Sequence, residues 1–147
     1  GWQVTVADHR ADFAAPRRFP SADSVLLVDN ARIDEKLNLS QHDAVVIMTH
    51  NYFQDRLLLQ QVLLSDVPYI GLLGAAKRSE RILEEIKQSG LKVTDAQYAR
   101  LYTPVGLNLG ADGPEEIALS ILAEIQAVLS KKTGTSLRDC VTEKSHA

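Results

Sequence analysis

The segment Tyr69-Ile70-Gly71-Leu72-Leu73-Gly74-Ala75-Ala76-Lys77-Arg78 changes its hydrophobic period partway along, and no other stretch limits the fold so strongly. Tyr69 to Leu73 is short and mostly apolar, which suits a buried strand, and the residues after Gly74 take up helical spacing. Gly71 and Gly74 allow main-chain N–H groups to approach a ligand without Cβ interference, and the first N–H groups of the new helix carry partial positive charge. In outline this is an anion site. Lys77 and Arg78 fall in the first helical turn, where cations oppose the helix dipole, so a negative group is expected to offset them. The plainer reading is that Gly74 permits a tight turn and the two cations are solvated.

Other runs extend the same alternation. Gln3 to Ala7 reads as a strand with Asp8-His9-Arg10 at its exit, and Val25 to Val28 as a second strand. Ala31 to Gln41 is polar and reads as a connection. Ala44 to Met48 is uninterrupted apolar sequence, the pattern of a parallel strand covered on both faces, and Thr49-His50 follow at its carboxyl end. Asn51 and Gln54 resemble a capping box that opens a helix from Tyr52 to Leu64. Ala75 to Ser89 is the next helix, stopped by Gly90. A short helix near Thr94 or Asp95 follows. Pro104 to Gly110 is either an edge strand or a close-packed loop. Pro114 to Leu129 carries Pro at its first position, Glu115 and Glu116 in its first turn and a broad apolar stripe, so it is expected to pack on a sheet or a partner. From Lys131 the chain is polar and reads as a flexible tail over 131–147, leaving 1–130 as one domain.

Strands alternating with helices indicate a parallel α/β sheet, in which ligands gather beyond the carboxyl ends of the strands. Asp8, Thr49 and His50, and the turn from Gly71 through Gly74 to Lys77 and Arg78 all leave strands on that rim. Asp8 is placed to accept from ribose hydroxyls, or is simply a turn aspartate. His50 is a proton donor, a ligand contact or a polar residue at the start of a helix.

The 147 residues carry a formal net charge of −3 and no basic stripe interleaved with aromatics, which argues against nucleic acid as a partner. No run reaches the roughly 18 apolar residues of a membrane span. Cys140 is the single cysteine, so an internal disulfide and a Cys-rich zinc site are excluded and a reducing, cytoplasmic setting is expected. No nucleophile, carboxylate pair or metal-ligand spacing points to catalysis; His9 and His50 with Asp8 form a poor metal signal.

Val46-Ile47-Met48-Thr49-His50, Tyr69 to Gly74, Arg78-Ser79-Glu80-Arg81-Ile82-Leu83, and Pro104 to Ala111 followed by Pro114 to Ile125 together resemble the C-terminal Rossmann-type domain of the XdhC/CoxI family. The resemblance spans roughly Trp2 to Leu129. It implies a Rossmann-like three-layer α/β fold with a mostly parallel sheet. It also implies an accessory role: binding the molybdenum cofactor (molybdopterin), assisting its sulfuration by a cysteine desulfurase, and passing it to the apoenzyme of a xanthine dehydrogenase-type molybdenum hydroxylase. On that reading Asp8, Thr49, His50, Gly71, Gly74, Lys77 and Arg78 contact the cofactor, with a nucleotide as a possible guest. Two other classes stay open: an NAD(P)-dependent oxidoreductase fragment, and a non-catalytic module whose Ile117 to Leu129 face docks a partner.

The sequence departs from the family at several points. Ala75 and Ala76 stand where many relatives carry a Ser or Pro and then an Arg, and Asn108 replaces a common Asp. The first Rossmann strand and its glycine-rich turn do not precede Gln3, and Cys140 does not match the cysteine usually assigned to cofactor binding. In the strand order 3-2-1-4-5-6 the missing strand is central, so the Val4 and Val45 strands are expected to flank a gap. A homo-oligomer, a swapped element, a partner subunit or upstream sequence would fill it; direct pairing of the two strands would contradict this.

Overall fold

The computed structural model describes residues 1–144. Among the described residues five short strands and six α-helices follow in the order β1 (Thr5–Asp8), β2 (Ser24–Leu27), α1 (Ile33–Leu37), β3 (Ala44–Ile47), α2 (Tyr52–Leu64), β4 (Tyr69–Leu72), α3 (Ala76–Gln88), α4 (Asp95–Tyr98), β5 (Leu101–Tyr102), α5 (Pro114–Leu129) and α6 (Leu137–Lys144). All pairings are parallel. β1 pairs with β2, and β3, β4 and β5 form a separate three-stranded sheet in that order. The β1 and β3 strands are not paired with each other.

The pleat sends alternate residues to two helix layers. Val45 and Ile47 of β3, Ile70 and Leu72 of β4, and Leu26 beside Val28 after β2 join Leu58, Leu59, Val62 and Leu63 of α2 and Ile82 and Ile86 of α3 in one cluster. Ala44, Val46 and Tyr69 point the other way and meet Ile121, Ile125 and Val128 of α5. β4, flanked on both edges and covered on both faces, is buried throughout. The apolar stripe of α5 is thus largely spent on the sheet, which corrects the reading of its whole Ile117 to Leu129 face as a docking surface.

Local chemistry explains the element ends. Asn51 caps α2 by accepting from Phe53 and Gln54 N–H at 3.1 Å each, yet the reciprocal half of the box does not form, because Gln54 Oε1 accepts from Asn30 Nδ2 at 2.8 Å. Gly90 takes up φ +82 just after α3. The Ala31 to Gln41 connection contains α1, whose Ile33 is buried, with Leu39 buried just beyond it; two apolar residues among many polar ones suffice to anchor it. The edge strand is Leu101–Tyr102, earlier than Pro104 to Gly110, which is a loop: Pro104 lacks a donor, and Gly106 and Gly110 have φ of +104 and +73. The tail carries α6 with Leu137 exposed; residues 145–147 lie outside the described residues.

Candidate functional site

The carboxyl ends of β3 and β4 lie side by side, since Ile47 is in register with Leu72 and Leu73 N–H donates to Ile47 O at 3.0 Å. Beyond them the chain leaves through Thr49-His50 into α2 and through Gly74-Ala75 into α3. A buried carboxylate ties these exits together. Asp55 is fully buried; its Oδ1 accepts from Thr49 N–H at 3.1 Å and from Thr49 Oγ1 at 2.5 Å, while its Oδ2 accepts from Arg78 Nη2 at 2.5 Å. Arg78 folds back across Gly74, and its Nη1 donates to Leu73 O at 3.4 Å.

This corrects the expectation for two residues and refines that for a third. Arg78 is not a free cation aimed at a ligand, because Asp55 supplies the negative group that a cation in this first turn requires. Thr49 spends its hydroxyl on Asp55 and on capping contacts with Asn51. Gly71 lies inside β4 rather than at the turn: a Cβ there would meet Val105 Cγ2 at 2.6 Å, so its role is to admit the loop after β5. Gly74 is the turn glycine, with φ +144. His50 is exposed in the left-handed region at φ +58, where it bends the chain from β3 toward the Asn51 cap.

Amides at the start of α3 stay open. Arg78 and Ser79 N–H both turn back to Ala75 O, but among the described residues no acceptor takes the N–H groups of Gly74, Ala75, Ala76 and Lys77. α3 has no side-chain cap and no acidic residue in its first turn, whereas α2 uses Asn51 and α5 folds Glu116 onto the N–H groups of Asp112 and Gly113 at 2.8 and 3.2 Å. Lys77, in the first turn of α3, is exposed and forms no ion pair among the described residues. Open donors, the positive end of the helix and an unpaired ammonium together suit a phosphate or carboxylate.

Asp8 is engaged differently. Arg10 grips both its oxygens, Nε to Oδ1 at 3.0 Å and Nη2 to Oδ2 at 2.8 Å, and donates its main-chain N–H to Oδ1 at 2.8 Å. The Arg10 side-chain hydrogen bonds hold the Asp8 carboxyl below the usual carboxylate range, partly opposed by burial. A carboxyl depressed on folding contributes stability above its unfolded value and loses it as pH falls through the folded one. Arg10→Ala is therefore expected to raise the Asp8 midpoint toward the ordinary value near about 3.9, followed by its carboxyl carbon resonance; an unchanged midpoint would contradict the assignment. Next to Asp8, His9 Nδ1 lies 3.2 Å from Asn30 Nδ2, and Gln61 Nε2 donates to Asn30 O at 2.7 Å, tying the β1 and β2 exits to α2.

Asp55 and Asn30 escaped the sequence reading. Asp55 did leave a trace: it shares the 3.6-residue stripe of Leu58, Leu59 and Val62, and an acid on an apolar face requires a buried partner. Among the described residues no group of three His, Cys, Asp or Glu can hold a metal ion, and no helix is long and apolar enough to cross a membrane.

Residues 1–125 match the model of the XdhC Rossmann domain. The chain is 37% identical over 125 residues to a Bacillus subtilis (strain 168) protein named as a probable subunit of xanthine dehydrogenase, covering 85% of this chain and 35% of that one. It is 33% identical over 135 residues to YqeB of Escherichia coli (strain K12), an uncharacterized protein, covering 91% and 24% respectively. A crystal structure described as a xanthine dehydrogenase from Bacillus halodurans superposes with a TM-score of 0.76 at 34% identity, over 89% of this chain and 38% of that one. The chain thus spans little more than a third of its relatives at most.

Proposed function

Because the chain belongs to the XdhC family through that family's Rossmann domain, we propose that it binds the molybdenum cofactor by its anionic end during maturation of a xanthine dehydrogenase-type enzyme. The observation that carries this reading is the uncapped start of α3, where the Gly74 to Lys77 amides and the Lys77 ammonium face no protein anion. A pterin cofactor that ends in a phosphate fits that donor set; a neutral or cationic ligand does not. Bound, the cofactor supplies the metal chemistry. The residues of this chain hold and orient it: the amides and Lys77 bind the phosphate, while Asp55, through Thr49 and Arg78, keeps the β3 and β4 exits together. In this reading His50, exposed on the adjacent exit, and Asp8, on release from Arg10, contact the remainder. The role is that of a cytoplasmic carrier, with a cysteine desulfurase and the hydroxylase apoenzyme as its partners.

Equilibrium titration with the molybdenum cofactor, with NADPH in parallel, tests this. Lys77→Ala is expected to weaken cofactor binding about tenfold, the worth of one charge-assisted contact, and Lys77→Glu to weaken it further. Equal binding by all three proteins, or preference for NADPH, would overturn the proposal.

A further inference from the structure

After β5 the chain crosses the α5 face of the sheet, and two hydrogen bonds tie it to that helix. Leu107 N–H donates to Ser120 O at 3.1 Å, and Asp112 N–H donates to Glu116 Oε2 at 2.8 Å. Up to the first tie the loop is firmly seated. Val105 fills the place of a Cβ on Gly71, Gly106 N–H donates to Glu124 Oε2, and Gly134 of the tail backs Leu107 so closely that a Cβ there would lie 2.9 Å from Leu107 Cδ1. Between the ties the chain stands off α5 as an arch over residues 108–111, braced by a hydrogen bond from Leu109 N–H to Leu107 O at 2.8 Å. Among the described residues no acceptor takes the N–H groups of Asn108, Gly110 and Ala111, and the exposed side-chain amide of Asn108 has no hydrogen-bond partner.

Under the arch lies a cavity of about 240 Å³, bounded by Leu73, Val105 and, from α5, Ile117 and Ser120. It is smaller than the roughly 300 Å³ at which cavities begin to take whole drug-sized ligands, so it suits a single ring system. Leu109 lines it while remaining 54% exposed, an apolar side chain that a flat ring would cover. Among the described residues no charged side chain lines the cavity, so a cationic ring gains no partner there. Of the two polar side chains in the lining, Ser120 is engaged with Ile117 O at 2.9 Å, which leaves Asn108. An Asn amide offers both donors and an acceptor, the complement of the adjoining C=O and N–H of a lactam edge. The cavity also adjoins the anion site: Leu73 is followed by Gly74, the first of the open amides, whose Cα is only about 3.8 Å further along the chain.

We propose that this cavity receives the pterin bicycle of the ligand whose phosphate is held at the start of α3. The inference rests on the anion reading given above and assigns further residues to it. The ring lies under the arch against Leu73, Val105 and Ile117, Leu109 closes over its face, and Asn108 pairs with its lactam edge by one donated and one accepted hydrogen bond. The ligand then straddles the tip of β4, from the α3 face of the sheet to the α5 face. The cavity selects by ring and the amides select by charge, so a ligand fills both places only if it joins a neutral, hydrogen-bonding bicycle to an anion.

Two probes, each carrying one part of such a ligand, separate this assignment from the anion reading. The ¹⁵N-labelled chain is titrated with 6-hydroxymethylpterin, which has no phosphate, and separately with inorganic phosphate, and the amide shifts are followed. The pterin is expected to shift the Asn108, Leu109, Gly110 and Ala111 amides. Asn108→Ala and Leu109→Ala are each expected to weaken pterin binding by about fivefold, the worth of one hydrogen bond or of a partly covered apolar side chain. Both side chains are exposed, so both variants are expected to keep the fold and the parent's response of the Gly74 to Lys77 amides to phosphate. Pterin shifts that spare residues 108–111, equal pterin binding by the parent and both variants, or tighter binding of guanosine or nicotinamide riboside under the arch would each overturn the proposal while leaving the anion reading intact. Pterin shifts at the arch with no phosphate shifts at Gly74 to Lys77 would instead overturn the anion reading and uphold the ring assignment.

Discussion

Asp55→Ala lowers the unfolding free energy by about 3–5 kcal/mol, the cost of removing one member of a buried ion pair and stranding the other. Asp55 is fully buried and serves three donors: Thr49 N–H, the Thr49 hydroxyl and Arg78 Nη2. Without it Thr49 N–H loses its acceptor and Arg78, whose side chain is only 25% exposed, keeps its charge with no anion beside it. Asp55→Asn preserves an acceptor for Thr49 but not the charge, so its loss is expected to be smaller. Urea unfolding of both variants with Arg78→Ala in a double-mutant cycle separates the terms. Additive losses at Asp55 and Arg78 would show that the two do not act as a unit.

Gly106→Ala has the next largest effect, about 2–4 kcal/mol, for two separable reasons. The residue sits at φ +104, where a Cβ is strained, and a Cβ built there would lie 2.4 Å from the Oγ of buried Ser120. Its N–H also donates to Glu124 Oε2 at 2.9 Å, the same oxygen that accepts from the Tyr69 hydroxyl at 2.6 Å. Burial first, and then the carboxylate beside it, push the Tyr69 hydroxyl pKa upward, so it remains a donor. Adding Ser120→Gly removes the collision and leaves the backbone strain, so the double variant is expected to recover only part of the loss in thermal unfolding. Full recovery would mean that the backbone at 106 carries no strain; no recovery would mean that Ser120 is not the obstacle.

These two positions mark where sequence reading fails. Elements with local signals were legible: α2 begins after an Asn cap, α5 begins with Pro114 and two acids, and the apolar runs at Val25, Val45 and Ile70 are strands. The lack of pairing between β1 and β3 was expected as well, from the Rossmann strand order that the resemblance implied. Pairing across space was not. Asp55 and Arg78 are 23 residues apart; the apolar stripe hints that Asp55 needs a buried partner but does not name it, so Arg78 read as a free cation. Gly71 read as a turn residue because the cause of its being glycine, Val105, lies 34 positions away on a loop with no periodic pattern. α1 was missed because its burial rests on few apolar residues.

In the proposed function the start of α3 receives an anion. Chemical-shift mapping of the ¹⁵N-labelled chain during titration with metal-free molybdopterin addresses it at the atoms concerned. The Gly74, Ala75, Ala76 and Lys77 amides are expected to shift together along one saturable curve that Lys77→Glu suppresses. Shifts that spare these four amides, or that persist unchanged in Lys77→Glu, would contradict it.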